Sequence, residues 1–223
     1  MIPEAQAADM DKKQLSERQA QIVDAALRII ATKGSRRFTA QLVAKEVGLT
    51  SGALYRHFAA MDEVVDAIVD RVGEVLFEGF PPEAADPIER LRLFFHRRAR
   101  TILGNPHVSR LLLSDHLAQA GGSAQTKRLG EFKRRSRAFV VECLEEASAR
   151  GALVDGMSPE AGAVVVLGSV LALSHVAPRV VNGGGGERLI DEVWSGIERM
   201  LRRSLADGAE PTTKGLRPGR SLP

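Results

Sequence analysis

Apolar residues recur every three or four positions along most of this chain, and this spacing predicts helices rather than strands. In residues 16–33 they form a single stripe along one helical face: Ile22, Ala25, Ala26, Ile29 and Ile30. Residues 62–77 repeat the pattern, and further helical segments follow as far as residue 206. Because the sequence shows no convincing alternation of apolar and polar residues, we predict an all-α fold.

Residues 39–58 predict two short helices joined by a tight turn. Thr39, and then Thr50 or Ser51, suit the position before a helix, because a hydroxyl can accept a hydrogen bond from a free backbone N–H of the first turn. Gly48 lies where the first helix ends and where a left-handed residue is common. The segment therefore predicts a helix-turn-helix whose second helix extends to Phe58.

The second helix of this motif leaves small and polar residues facing outward, since Leu54 and Phe58 are four residues apart and face inward. Small residues allow close approach to DNA, and the polar groups can donate to phosphates or base edges. The candidate DNA contacts are Thr39, Gln41, Thr50, Ser51, Gly52, Ala53, Tyr55, Arg56 and His57. A helical hairpin without a DNA role is the alternative, because the same geometry also occurs as an ordinary packing motif.

Residues 14–72 resemble the amino-terminal domain of the TetR family of bacterial regulators. The matching positions are Ile29, Ile30, Gly34, Phe38, Thr39, Val43, Ala44, Val47, Gly48, Leu49, Gly52, Leu54, Tyr55 and Phe58. The resemblance implies a three-helix helix-turn-helix domain followed by a larger helical domain for effector binding and dimerisation. Two positions depart from the family: Met61 stands where a phosphate-binding lysine is frequent, and Ser51 where lysine, arginine or proline is frequent.

Proline and glycine divide the rest of the chain into further predicted helices. Asp86-Pro87 and Asn105-Pro106 begin two of them, since proline is favoured at the first helical position. The second of these is predicted to reach residue 118, and the last helix to span residues 187–206. We expect a disordered tail at 1–13, a DNA-binding domain at 14–60, a helical domain at 61–206 and a second tail at 207–223, because the tails have little to bury.

Charge is unevenly distributed along the chain. The formal net charge is only +3, but residues 16–60 contain seven Lys and Arg against three Asp and Glu. A basic domain attached to a nearly neutral body is typical of a protein that binds phosphate groups. An ordinary solvated surface is the alternative interpretation of so modest an excess.

Signatures of enzymes and metal sites are poor. Ser114, Asp115 and His116 include the residue types of a catalytic triad, but adjacent residues on a helix point in different directions. The five histidines lack metal-ligand spacing, and no cofactor is indicated. The sequence therefore favours a protein that is not an enzyme.

One uncharged run, residues 161–177, approaches the length of about 17 residues that a membrane helix requires. It contains Gly168, Ser169, Ser174 and His175, and we expect a helix buried in protein instead. The first fifteen residues show no signal peptide, so we expect a cytoplasmic location. The single Cys143 lies on an apolar stripe, which indicates a buried thiol.

The family resemblance also implies partners. A ligand-responsive repressor would bind double-stranded DNA at a palindromic operator as a homodimer, and would bind a small-molecule effector among its middle helices. Candidate pocket residues, each of which could instead be ordinary core, are Phe94, Phe95, His96, Ile102, Leu112, His116, Phe139 and His175. The last two helices imply a four-helix bundle between subunits, with candidate interface residues Val170, Ser174, Trp194, Ile197 and Leu201.

A second function remains open within the same family. Residues 34–39 and 53–58, together with Asn105-Pro106, are also similar to its nucleoid-occlusion branch, whose members inhibit cell division while bound to DNA. Such a protein would recruit a cell-division partner. One genomic site at a nearby promoter would favour the repressor, whereas many scattered sites would favour this branch.

Overall fold

The computed structural model describes residues 4–180 and 185–202, and the side chains of residues 16–175 and 185–202. The described chain forms ten α-helices and no strand: α1 Glu4–Lys33, α2 Ala40–Glu46, α3 Ser51–Leu54, α4 Met61–Phe77, α5 Pro87–Gly104, α6 Pro106–Leu113, α7 His116–Ala120, α8 Ser123–Ala149, α9 Pro159–Val180 and α10 Gly186–Leu201. A short 3-10 turn at Ser35–Arg37 precedes α2. The predicted all-α fold is confirmed.

Several predicted boundaries differ from the observed ones. The first helix begins at Glu4, so the expected disordered tail is wrong from that residue onward, and the segment is indeed rich in good helix formers such as alanine, glutamine and lysine. The helix predicted to reach residue 118 is broken at Ser114 and Asp115 into α6 and α7. The last helix ends at Leu201 rather than at residue 206. Residues 203–206 and the predicted tail at 207–223 lie outside the described residues.

The first hydrophobic core joins α1 to α4 with α6 and α7. Its buried members include Ile22, Ile30, Val43, Leu54, Val64, Ile68, Val72, Val108, Leu111 and Leu117. Because α4 turns its apolar face toward α1, this core extends beyond residue 60, where the sequence predicted the DNA-binding domain to end. The helix-turn-helix therefore packs against one continuous hydrophobic core that includes α4.

The second core joins α5, α8, α9 and α10. Its buried members include Ile88, Leu91, Phe95, Leu144, Val166, Val170, Ile190, Trp194, Ile197 and Leu201. Cys143 is also buried there, as the sequence predicted. Among the described helices, α9 included, none combines the length and apolar character needed to cross a membrane.

A group of five phenyl rings lies where the two cores meet, and we call it the phenyl cluster. Its members come from α4, the α4–α5 loop, α5 and α8: Phe77, Phe80, Phe94, Phe132 and Phe139. Neighbouring ring centroids lie 5.0 to 6.2 Å apart. Gly73 lets α8 approach α4 closely, because a Cβ atom there would lie 2.8 Å from Cζ of Phe132. The cluster therefore connects the end of α4 to the larger helical domain.

Candidate nucleic-acid interface

Two threonines and one glycine build the helix-turn-helix. Oγ1 of Thr39 accepts a hydrogen bond from the backbone N–H of Leu42 at 3.3 Å, and Oγ1 of Thr50 accepts one from that of Ala53 at 3.1 Å. Between the two helices Gly48 adopts φ +68°, which a side chain would disfavour. The structure thus assigns the second cap to Thr50 and not to Ser51. Each capping hydroxyl still carries a hydrogen that it can donate outward.

All nine predicted DNA contacts are at least partly accessible to solvent. Thr39, Gln41, Thr50, Gly52, Tyr55 and Arg56 are exposed, while Ser51, Ala53 and His57 are half-buried. Tyr55 is 47% exposed, and it is one of few large side chains that the first core leaves uncovered. Leu54 and Phe58 point inward, as predicted. We call the nine residues the polar face.

The second helix is shorter than the sequence predicted. α3 ends at Leu54, and residues 55–57 continue as a turn in which the carbonyl oxygen of Leu54 accepts from the N–H groups of His57 and Phe58. Nε2 of Gln19 on α1 donates to the carbonyl oxygen of His57 at 3.0 Å, which anchors this turn. Nδ1 of His57 is buried and has no hydrogen-bond partner among the described residues. Only the rest of this ring is available to a ligand.

The cations of residues 16–60 form no ion pairs with carboxylates among the described residues. None of the seven Lys and Arg residues at positions 16–60 forms an ion pair within the described residues, and six of them are exposed: Arg28, Lys33, Arg36, Arg37, Lys45 and Arg56. Elsewhere arginines are commonly paired, as Arg90 is with Glu146 and Arg202 with Asp86. Unpaired exposed cations beside hydroxyl and amide donors form a surface suited to phosphate groups.

The eight predicted effector residues do not line one cavity. Phe94, Phe95 and Ile102 are buried in the second core, and Phe139 belongs to the phenyl cluster. Leu112 contacts the first core, the ring of His116 lies near Gly34 beside the helix-turn-helix, and His175 is exposed. The helices thus separate these residues between two cores and the surface, and the effector site stays a prediction.

His96 is buried, and both of its ring nitrogens face hydrogen-bond acceptors within the protein. Its Nδ1 atom lies 2.8 Å from the carbonyl oxygen of Arg92, and its Nε2 atom lies 3.0 Å from Oδ1 of Asp191. Both ring nitrogens therefore have partners on α5 and α10, and neither is left for an effector. This outcome matches the alternative that a candidate pocket residue belongs to the ordinary core.

Four of the five predicted interface residues are likewise buried within their own subunit. Val170, Trp194, Ile197 and Leu201 are members of the second core, and only Ser174 is half-exposed. Trp194 is 3% exposed, and its Nε1 donates to Oε2 of Glu198 at 3.1 Å. These four side chains are core residues of the subunit, and the dimer interface stays a prediction. Because α9 is apolar on most of its circumference, the sequence did not show which of its sides faces inward.

The opposite side of α9 presents an apolar stripe to solvent. Its exposed residues lie at helical spacing: Ala161, Val164, Gly168, Leu171, Ala172 and His175. Val164 is 72% exposed, which is unusual for a valine in a folded domain. On α10, Met200 is exposed as well. Sequence reasoning did not predict this exposed stripe, although it named His175 as a candidate pocket residue, because nothing in the helical spacing distinguished it from the buried side.

Sequence reasoning also missed Arg98. It lies on α5, four residues after Phe94 and seven after Leu91, so it occupies the apolar stripe of that helix and is buried. A charged residue at a core position of an amphipathic helix was the available signal.

Comparisons with known proteins agree with this architecture. Residues 22–68 match the family model described as "Bacterial regulatory proteins, tetR family". The chain is 33% identical over 76 residues to the nucleoid occlusion factor SlmA of Mannheimia succiniciproducens, an alignment that covers 34% of this chain and 35% of that protein. It is 24% identical over 141 residues to the repressor KstR2 of Mycobacterium tuberculosis, which covers 62% of this chain and 70% of KstR2.

Solved structures extend the likeness to most of the chain. The structure of KstR2 matches 84% of this chain and 96% of its own, with a TM-score of 0.66 and 16% identity. The structure of AibR with isovaleryl coenzyme A and operator DNA matches 83% of this chain and 98% of its own, with a TM-score of 0.65 and 23% identity. At these identities the likeness shows the fold alone. By sequence, the chain spans about a third of the length of the SlmA relative.

Proposed function

We propose that this chain, whose amino-terminal domain belongs to the TetR family of bacterial regulators, is a transcriptional repressor that binds a palindromic operator as a homodimer and is controlled by a small molecule. The observation that carries the proposal is the polar face. Its hydroxyl, amide, phenol and guanidinium donors are accessible, and the cations around it have no carboxylate partner among the described residues. Such a surface gains most from contact with the phosphates of a duplex.

The polar face can be divided by chemistry. Thr39, Thr50 and Tyr55 carry hydroxyls that can donate to phosphate oxygens, and Arg56 can neutralise a phosphate. Gln41 carries an amide suited to base edges. Gly52 and Ala53 present almost no side chain, so the backbone there can approach DNA closely. Positioning contacts therefore outnumber those that read sequence.

The exposed side of α9 is the proposed dimer interface, with a second copy of this chain as its occupant. Five large apolar side chains are exposed among the described residues, and three of them, Val164, Leu171 and Met200, lie on α9 and α10. An isologous contact along this stripe would remove these side chains from water. It would also leave the two polar faces free to enter successive major grooves about 34–36 Å apart.

Control by a small molecule is supported by a structural neighbour. AibR was solved together with isovaleryl coenzyme A and operator DNA, and its fold matches this chain over most of its length. In this chain the start of α4 lies in the first core. The phenyl cluster joins the other end of this helix to the second core. A ligand that separates the rings would shift α4, and with it the polar face.

Selection from random duplex DNA with the purified full chain tests the proposal. We expect a pseudo-palindromic site, bound by a dimer with an affinity that falls steeply as salt increases. Sedimentation at matched concentrations would report the dimer independently. Failure to bind duplex DNA at any salt concentration, or an affinity that does not depend on salt, would overturn it.

The nucleoid-occlusion alternative is favoured by one observation, the 33% identity to SlmA, which is confined to about a third of this chain. Mapping of binding sites in the genome separates the two functions. A site at one nearby promoter supports the repressor, and many scattered sites with no change in transcription support the alternative.

A further inference from the structure

Arg98 carries a buried charge without an anion. Only 8% of its surface is exposed, and its Cζ atom lies 5.2 Å from the ring centroid of Phe77 and 5.3 Å from that of Phe94. Its one hydrogen bond among the described residues runs from Nη2 to Oγ of Ser136, at 3.3 Å. A guanidinium has five N–H donors, so most of its capacity is unused. A buried arginine is ordinarily paired with a carboxylate.

A second guanidinium increases this imbalance. The Cζ atom of Arg135 on α8 lies 4.3 Å from the centroid of Phe77 and 4.8 Å from that of Phe80. Arg135 is exposed and has no carboxylate partner among the described residues. Burial, and secondarily the charge of Arg135, lower the pKa of Arg98 to about 10, so both groups are positive at neutral pH. Two cations thus contact the same ring with no negative charge between them.

The surroundings of Arg98 offer a route from solvent. A small void of about 10 Å³ lies beside it, bounded by Phe80 and Phe94. Glu78, Gly79 and Arg97 line both this void and a surface depression of about 370 Å³. Arg97 borders both spaces, and its Nη1 atom donates to the carbonyl oxygen of Gly79. Displacement of this exposed side chain would widen the space between the depression and the void.

We infer that Arg98 and Arg135 form the anion-binding end of the effector site, and that its ligand is an amphipathic organic anion with an apolar body. The inference rests on the proposed function, whose effector it specifies. The acidic group accepts hydrogen bonds from the two guanidiniums, and the apolar body takes a place among the phenyl rings. An inorganic ion is a poor ligand, because it would meet the cations but leave the rings it separates without new contacts.

The position of the site explains how such a ligand would act on DNA binding. Phe77 is the last residue of α4, and Val64 near the start of that helix is buried beneath the helix-turn-helix. Phe132 packs against Gly73 on the same helix. A ligand that separates the phenyl cluster moves the end of α4 relative to α5 and α8, and so changes the spacing of the two polar faces in a dimer.

Thermal melting of the full chain with defined probes tests the inference. The probes are the straight-chain acids from hexanoate to dodecanoate, their coenzyme A thioesters, 1-decanol and inorganic phosphate. We expect a rise in Tm with at least one acid or thioester and none with decanol or phosphate. A response to the free acids identifies a carboxylate as the anion, and a response to the thioesters alone identifies a phosphate.

Matched variants assign the response to the two arginines. Arg98→Met removes a buried, unpaired charge, so we expect a Tm without ligand equal to or above that of wild type, together with a ligand affinity at least about tenfold weaker. Arg135→Met changes an exposed residue and should weaken binding without affecting the fold. Arg137→Met, also exposed on α8, is the control and should respond as wild type does.

Two results would overturn the inference: no rise in Tm with any acid or thioester, or an undiminished response in both Arg98→Met and Arg135→Met. Operator binding is measured on the same samples. If the operator is bound but no probe responds, the inference fails while the repressor proposal stands. If a probe responds through Arg98 but no duplex is bound, the repressor proposal fails while the anion site stands.

Discussion

Nε2 of His96 lies 3.0 Å from Oδ1 of Asp191, and this contact joins α5 to α10 across the edge of the second core. The imidazole is buried, whereas the carboxylate is largely exposed. On the other side of the ring, Nδ1 contacts the carbonyl oxygen of Arg92 at 2.8 Å. The histidine therefore stabilises the position of α10, which carries part of the proposed dimer interface.

Replacement of His96 by leucine should lower stability. The substitution preserves an apolar body but removes both contacts, so we expect the free energy of unfolding to fall by about 1 kcal/mol, since Asp191 can return to water. Urea denaturation measures the change. Asp191→Ala is the control and should cost less, because the contact between His96 and Arg92 remains. Equal stability of His96→Leu and wild type would mean that the two contacts of His96 contribute nothing to the free energy of unfolding.

Tyr55→Phe should weaken operator binding without affecting the fold. The ring is half exposed and the hydroxyl has no partner among the described residues, so its loss removes only a donor to DNA. A hydrogen bond to a charged phosphate is worth about 1.5–3 kcal/mol per subunit. Fluorescence titration with the selected operator, alongside thermal melting, checks both halves. Full affinity at unchanged Tm would show that the hydroxyl does not face DNA.

Trp194→Ala should destabilise the subunit rather than the dimer contact. The indole is buried in the second core, 5.5 Å from the ring of Phe95, and truncation of a large core side chain costs about 3–5 kcal/mol. Thermal melting should therefore show a marked fall in Tm. Sedimentation of the protein that remains folded should still show dimers, and dissociation at unchanged Tm would contradict the core assignment.

Negative charges on the exposed side of α9 should weaken the dimer without destabilising the subunit. Val164→Glu combined with Leu171→Glu places two like charges on the apolar stripe, where each would oppose its symmetry mate. We expect monomers by analytical ultracentrifugation, subunits that still fold cooperatively on thermal melting, and weak operator binding. The same substitutions at Ala138 and Ser148, which are exposed on α8 and lie outside the proposed interface, provide controls. A double variant that remains dimeric would place the interface elsewhere.

Asp86 should make stability depend on pH. Burial alone would raise the pKa of this carboxyl, but hydrogen bonds from Arg202, at 2.7 Å, and from the N–H of Ile88, at 3.0 Å, leave it lowered overall. Because the folded pKa lies below the unfolded one, the stabilisation is complete above the unfolded value, about 3.9, and is lost as pH falls through the folded pKa. Asp86→Asn should therefore be less stable than wild type at neutral pH, with a difference that narrows in acid. Urea denaturation across this range measures it, and a constant difference would contradict the assignment.

The helix-turn-helix was predictable because its determinants are local. Thr39 and Thr50 cap helices that begin at the next residue, and Gly48 permits a left-handed turn whatever lies around it. The inward orientation of Leu54 and Phe58 follows from a spacing of four within one segment. Only the early end of α3 was missed, since residues 55–57 are held by a contact from Gln19, which lies far away in the sequence.

The sequence by itself determined the helical class, the capped turn and the accessible polar face, because each depends on residues within a few positions of one another. Tertiary structure alone decided which side of α9 is buried and what surrounds Arg98. An all-apolar helix has no preferred side until its neighbours cover one, so Val170 entered the core while Val164 on the same helix remained in water. The rings around Arg98 come from α4 and α5, and Arg135 comes from α8, so two cations meet only when helices distant in sequence pack together.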